Sequence, residues 1–332
     1  MRENSGALQV VEPSGTALQP SYDFDRPVGI DRSLAHTRAT ESLPVLTERT
    51  DTGLVRIPAN GVELRARVYG LQNSGPAVVL LHGAPGSSAV WDSTAQKLAA
   101  EGYRVVAYDQ RGYSPGARPD NVADYRIDHF INDLEAVRRA VGFNQFHLAG
   151  HDIGAVVGWA YTMENPDALH SFTSLSIPNP RTLDLNRPYL LMFAIPRVTE
   201  WLFRRIGGWL IRKWLPPERT TTEDREYRAM FSEPGSLAAV AKFYTALPQS
   251  RRYLENELPT TVRVPTLLAY GTGEGWISDD ALAEQQVYME DGAPLDVVEI
   301  TDAGKTGHFP IEHQRERVEE LLLGQLRRND PA

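Results

Sequence analysis

Short apolar runs punctuate the chain from about residue 54 to residue 300, and two stretches, Ala77–Leu81 and Val105–Tyr108, are apolar at every position. Ala77–Leu81 ends in His82-Gly83, and Arg104–Tyr108 ends in Asp109. A strand without polar alternation is one covered on both faces, as in a parallel sheet. Further strands are expected at Phe146–Ala149, Phe172–Ile177, Thr266–Tyr270 and Asp296–Ile300. Leu54–Ile57 and Val62–Tyr69 flank Asn60-Gly61, a pair suited to a hairpin turn that needs positive φ. Helical spacing appears between the strands. Ile127, Phe130, Ile131, Leu134, Val137 and Val141 line one face of a helix over Asp124–Val141, and Gly142 supplies the stop. Other helices are expected over Ser88–Ala100, near Asp280–Met289 and over Glu312–Leu326. Strands alternating with helices predict a mostly parallel α/β sheet.

Two stretches break the alternation. Residues 1–50 have no sustained hydrophobic period and are rich in Pro, Ser, Thr, Gly and Asp, which predicts an extended or disordered arm. Residues 178–248 carry Val198, Trp201, Leu202, Ile206, Trp209, Leu210 and Trp214 as a helical stripe, with arginines largely off it. This reads as a helical cap inserted into a core made of 51–177 and 249–332, its tryptophans packing the cap.

Composition narrows the function. An apolar fraction of 42% and a charged fraction of 23% over 332 residues suit a globular enzyme. A net charge of −9 disfavours nucleic acid and anionic membranes as partners. No apolar stretch approaches the roughly 20 residues needed to span a bilayer. There are no cysteines, so thiolate metal sites, disulfides and cysteine nucleophiles are excluded. Without a secretory leader, this favours the cytoplasm. His129, His147 and His170 show no metal-ligand spacing, and no metal or cofactor is expected. A homodimer is left open.

The candidate chemistry centres on Gly150-His151-Asp152-Ile153-Gly154, between the apolar end of a strand and the start of a helix at Ala155. The pattern small-x-nucleophile-x-small makes a sharp turn that pushes its middle side chain into a cleft. Here that residue is an aspartate, which forms an ester by attacking saturated carbon and so points to C–O or C–halogen cleavage. His82-Gly83-Ala84-Pro85-Gly86 lies at an earlier strand end, and Gly307-His308-Phe309 follows the last strand. His82 and His151 read as local hydrogen-bonding residues, and Asp109 and Arg111 as loop anchors.

In this order, over roughly residues 50 to 328, the motifs resemble the α/β-hydrolase superfamily. The aspartate in GHDIGA, the HGAPG loop and DQRGYSPGARP at 109–119 resemble its epoxide hydrolase and haloalkane dehalogenase branch. The resemblance implies Asp152 as nucleophile, His308 as the base that activates water, and an acid that orients His308. Glu274, in Gly271-Thr272-Gly273-Glu274, is the candidate acid in place of the usual aspartate, with Asp279 as runner-up. It also implies an oxyanion hole from the N–H groups of Ile153 and Ala84, and a cis Ala84-Pro85 bond. Cap tyrosines assist ring opening in epoxide hydrolases, which suggests Tyr244, with Tyr189 or Trp201 as its partner. Ile153 stands where many dehalogenases carry a halide-holding tryptophan, and where fluoroacetate dehalogenases carry an arginine. An aliphatic side chain there favours a small-molecule epoxide as substrate, with an aromatic or polyketide-type epoxide suggested by the aromatic cap. The rival readings are a dehalogenase with the same Asp-His machinery and a non-catalytic binding protein of this fold.

Overall fold

The computed structural model describes residues 43–183, 195, 198, 201, 205, 233, 235–275, 277–301 and 307–331. The arm over 1–42, Tyr189 and most of the 198–214 stripe lie outside the described residues. Eight strands form one sheet: β1 (Gly53–Ala59), β2 (Val62–Tyr69), β3 (Ala77–Leu81), β4 (Arg104–Tyr108), β5 (Phe146–His151), β6 (Leu169–Leu175), β7 (Thr266–Gly271) and β8 (Leu295–Ile300). Their order is β1-β2-β4-β3-β5-β6-β7-β8. The pairs on either side of β2 are antiparallel, and every other pair is parallel. This is the mostly parallel α/β sheet expected from the apolar runs.

Between and after the strands come α1 (Asp92–Ala100), α2 (Ile127–Ala140), α3 (Ile153–Glu164), α4 (Ser236–Asn256), α5 (Asp279–Glu284) and α6 (Arg315–Arg328). Side chains along a strand alternate between faces, and β3 shows the result. Ala77, Val79 and Leu81 join a core with α2, α3 and α4, whereas Val78 and Leu80 join a second core with α1 and α6. The sheet is covered on both sides, which is why β3 is buried at all its positions.

Local backbone explains where element bounds differ from the apolar pattern. Ser88–Trp91 is a 3-10 turn ahead of α1, with the Ser87 side chain accepting from the Ala89 N–H. Arg126 is extended (φ −67°, ψ 153°), so α2 starts at Ile127. The sixth strand stops at Leu175 because Ser176 takes φ 63°. The hairpin turn holds as expected, with Asn60 at φ 47° and Gly61 at φ 76°. The terminal helix is split, a single turn over Pro310–His313 preceding α6. The cap boundary drawn between 248 and 249 falls inside α4, which continues through Pro248. A proline lacks the N–H that would bond one turn back, yet here the helix continues. Near the arm's described end, Arg56 of β1 takes part in two bonds, its N–H to the Pro44 carbonyl and its own carbonyl to the Leu46 N–H. Among the described residues no helix is long and apolar enough to cross a membrane.

Candidate active site

Four segments converge at the carboxyl ends of the parallel strands: the loop after β3, the turn after β5, and the loops after β7 and β8. Such ends are where open α/β sheets place ligands, because the chain order reverses there. Asp152 is the single residue between β5 and α3. Its backbone sits at φ 51°, ψ −119°, a conformation L-residues rarely adopt. Two tight contacts hold the turn there. A Cβ on Gly150 would lie 2.4 Å from the Gly154 carbonyl oxygen, and one on Gly154 would lie 2.6 Å from that of Leu81. Only hydrogen fits at either position, which is the physical content of the two glycines in the motif.

The Asp152 side chain is therefore presented to its neighbours. Its Oδ1 accepts from the Ala84 N–H at 2.7 Å, and its Oδ2 lies 3.1 Å from His308 Nε2. The other ring nitrogen of His308, Nδ1, lies 2.8 Å from Glu274 Oε2. Glu274, and not Asp279, is thus the acid brought to His308; Asp279 opens α5. The Glu274 side chain is 2% exposed, against 16% for Asp152 and 17% for His308. Ala84 precedes Pro85 through a cis bond. Ile153 is the first residue of α3, where a helix N–H has no partner within the helix.

One imidazole between two carboxylates has a predictable charge state. Burial disfavours its protonated form, but hydrogen bonds and charge from Asp152 and Glu274 outweigh burial and push His308 up to about 10. Burial likewise opposes ionisation of Asp152. The hydrogen bond and charge of His308 prevail, and hold its carboxyl below the usual range. Both directions favour an ionised Asp152 beside a protonated His308, whose other ring nitrogen faces Glu274.

The surrounding polar groups fix these loops. His151 Nε2 donates to the His308 carbonyl at 2.7 Å, tying the elbow to the histidine loop. The Gly307 N–H donates to the Thr272 carbonyl at 3.0 Å, joining that loop to the one carrying Glu274. His82 Nδ1 lies 3.0 Å from the Gly83 carbonyl, and its Nε2 accepts from the Gln110 N–H at 3.1 Å. The neutral imidazole satisfies both contacts, in line with the downward push that burial gives this histidine. Asp109 is buried against Arg65 and accepts from the Ser88 N–H at 2.7 Å, while Arg111 makes a two-pronged bond to Asp133. Both act as loop anchors.

Tyr244 sits half-buried on α4, edge-on to Phe243 at 5.6 Å between ring centroids. Trp201 is 58% exposed, with the Arg205 guanidinium 5.8 Å from its ring centroid, and takes no part in the contacts described for this site. One residue that motif reading passed over belongs to this neighbourhood. Tyr113, inside the 109–119 segment, is 3% exposed, and its phenol interacts electrostatically with both Tyr244 and Asp152. Its only sequence signal was a tyrosine inside a loop motif, which does not say where the ring points. Among the described residues no three His, Cys, Asp or Glu side chains group as metal ligands would.

Comparison with known proteins agrees with this architecture. Residues 76–261 match the family model described as alpha/beta hydrolase fold. The AB hydrolase superfamily protein YfhM of Bacillus subtilis is 27% identical over 287 residues, covering 82% of this chain and 96% of that protein. Human epoxide hydrolase 4 is 26% identical over 293 residues, 81% of this chain and 76% of its own. Epoxide hydrolase B of Mycobacterium tuberculosis is 40% identical over 104 residues, 31% of this chain and 29% of its own. The crystal structure of epoxide hydrolase A from Mycobacterium thermoresistibile superposes with a TM-score of 0.73 at 23% identity, covering 83% of this chain and 98% of that one. The family model spans more than half of the sequence and the eight-stranded sheet is the one its fold requires: the chain belongs to the α/β-hydrolase superfamily.

Proposed function

We propose that the protein is an epoxide hydrolase that opens its substrate to a vicinal diol through an ester on Asp152. The observation that carries this reading is an aspartate at the elbow hydrogen-bonded to a histidine that in turn meets a buried glutamate. Similarity to proteins named epoxide hydrolases supports it. Both carboxylate oxygens of Asp152 are hydrogen-bonded. Oδ1 already sits on the Ala84 N–H that would hold the ester carbonyl oxygen, so Oδ2 is the attacking oxygen, through the lone pair not directed at His308. Its lone pair forms the bond to an epoxide carbon, the C–O bond of the ring breaks, and the departing oxygen takes a proton from Tyr244. The ester carbonyl then retains Oδ1 in the oxyanion hole of Ala84 and Ile153.

Water attacks that carbonyl carbon in the second half. His308 takes the water's proton, which requires it to have become neutral. Esterification provides for this, because it removes the Asp152 charge that helped to hold the imidazole protonated, and the proton that His308 then releases restores the Tyr244 phenol. Collapse of the tetrahedral intermediate expels the diol oxygen, which receives the proton from His308, and the Asp152 carboxyl group left behind then gives its proton to the imidazole. Glu274 keeps the ring oriented and stabilises its charged form.

Single-turnover hydrolysis in oxygen-18 water tests the ester. The first diol should carry an unlabelled oxygen from the carboxylate; label entering it directly would mean that water opens the ring. His308→Gln should form the ester and release it very slowly, leaving a protein heavier by the whole epoxide. A haloalkane would instead add its alkyl group without the halide, so the same spectrum tests the dehalogenase reading. Glu274→Gln should slow ester release by about 10²–10⁴-fold, and Asp279→Asn should not.

A further inference from the structure

We propose that Tyr113 is a catalytic residue that donates a hydrogen bond to the epoxide oxygen as the ring opens, alongside Tyr244. The proposal rests on the epoxide hydrolase reading of the same site. Its starting point is a polar group without an evident structural purpose. The Tyr113 hydroxyl is buried, and it has no hydrogen-bonding partner among the described residues. Native interiors pair nearly all such groups, and an orphan is destabilising because it has given up water for nothing. Phenylalanine would fill the same space without that penalty.

The ring itself is well accounted for. It packs edge-on against His82 at 4.8 Å and 78°, and belongs to the main apolar core. Both nitrogens of His82 are already engaged, so His82 is no partner for the hydroxyl. The loop carrying Tyr113 also lies against α4: a Cβ on Gly112 would stand 3.6 Å from Ala239. Tyr113 therefore lies between α4, which bears Tyr244, and His82, whose neighbour Gly83 packs directly against Asp152 at the elbow. Its phenol senses both of those groups.

That position suits the departing oxygen. In-line displacement places the nucleophile and the leaving oxygen on opposite sides of the attacked carbon, and negative charge grows on the oxygen as the C–O bond breaks. Burial, with Tyr244 and Asp152 adding to it, raises the Tyr113 pKa, so the group stays a phenol and donates. Tyr244 gives up the proton, whereas Tyr113 retains its own and stabilises the charge through its O–H. A donor that is idle at rest and bonded in the transition state is the kind that accelerates a step, since its interaction is absent from the ground state.

The test uses the full chain with styrene oxide and trans-stilbene oxide as probes. Ester formation is followed by rapid quench and intact mass in His308→Gln and in His308→Gln/Tyr113→Phe. Loading should be about 10–100-fold slower in the double variant, the range of a hydrogen bond to a charged group. Ester release in Tyr113→Phe with His308 present should match wild type, and its urea midpoint should be equal or higher. Equal loading rates would overturn the proposal, as would a parallel loss in loading and release, which marks general distortion. If His308→Gln is never loaded by epoxides that the wild type turns over, the ester mechanism itself fails and takes this role with it.

Discussion

Asp152 and His308 impose opposite demands on each other. A charged Asp152 is the nucleophile of the proposed first half-reaction, and its charge keeps His308 protonated. A protonated imidazole cannot serve as base, so the second half-reaction needs that charge gone. In the proposed mechanism the ester removes that charge and leaves the Glu274 carboxyl group on the other ring nitrogen. Asp152→Asn imitates this neutral state. In wild type the His308 ring should titrate near the value of about 10 to which its two carboxylates push it. In Asp152→Asn it should titrate about 1–3 pH units lower, the usual influence of one adjacent charge. Nitrogen-15 NMR of labelled histidine reads both values. An unchanged titration in the variant would show that Asp152 does not control the charge of the base.

The elbow is where element geometry does most for chemistry. β5 and α3 meet across one residue, and the helix can start so abruptly only because nothing projects from Gly150 or Gly154. Gly154→Ala would drive a methyl group into the Leu81 backbone and should destabilise the fold by about 1–3 kcal/mol or more. Gly275→Ala, whose Cβ meets nothing within 4 Å, is the control. Equal urea midpoints for the two variants would show that β3 and the elbow yield more easily than their contact distance implies. Features set by neighbours in sequence, such as this turn, the Asn60-Gly61 hairpin and the full-length β3 and β4, are legible in the sequence itself. Those that depend on one backbone angle were not: Ser176 at φ 63° ends β6 early, and extended Arg126 delays α2. The cap bound at 248 does not mark an element end, since α4 continues through Pro248. At the site, Asp152 and His308 were visible through their motifs. The proximity of Tyr113 to Tyr244 and Asp152 was not, because it arises from packing between distant segments.

On the scale of the whole molecule, buried charges at the site and away from it should be visible as a pH dependence of stability. Carboxylates with depressed pKa values define the acid side. Glu135 is held at about 2 by Arg138, so its contribution is complete above its ordinary 4.5 and lost as the pH falls through 2. Asp109 acts in the same sense: burial alone would raise it, but Arg65 prevails and holds it low. His308 defines the alkaline side with the opposite sign. Below its ordinary 6.5 both native and unfolded chains carry the proton, and its stabilisation is complete. Between 6.5 and about 10 the native protein keeps a proton that the unfolded chain has released, so stability falls as pH rises. At about 1.4 kcal/mol per pH unit, the loss is on the order of a few kcal/mol. Urea unfolding of wild type from pH 6 to 9.5, below the range in which tyrosines and lysines titrate, should show this decline. His308→Gln should be less stable at pH 6 and nearly flat across the same range. Parallel slopes for the two proteins would mean that the imidazolium between Asp152 and Glu274 is not what favours the native state at neutral pH.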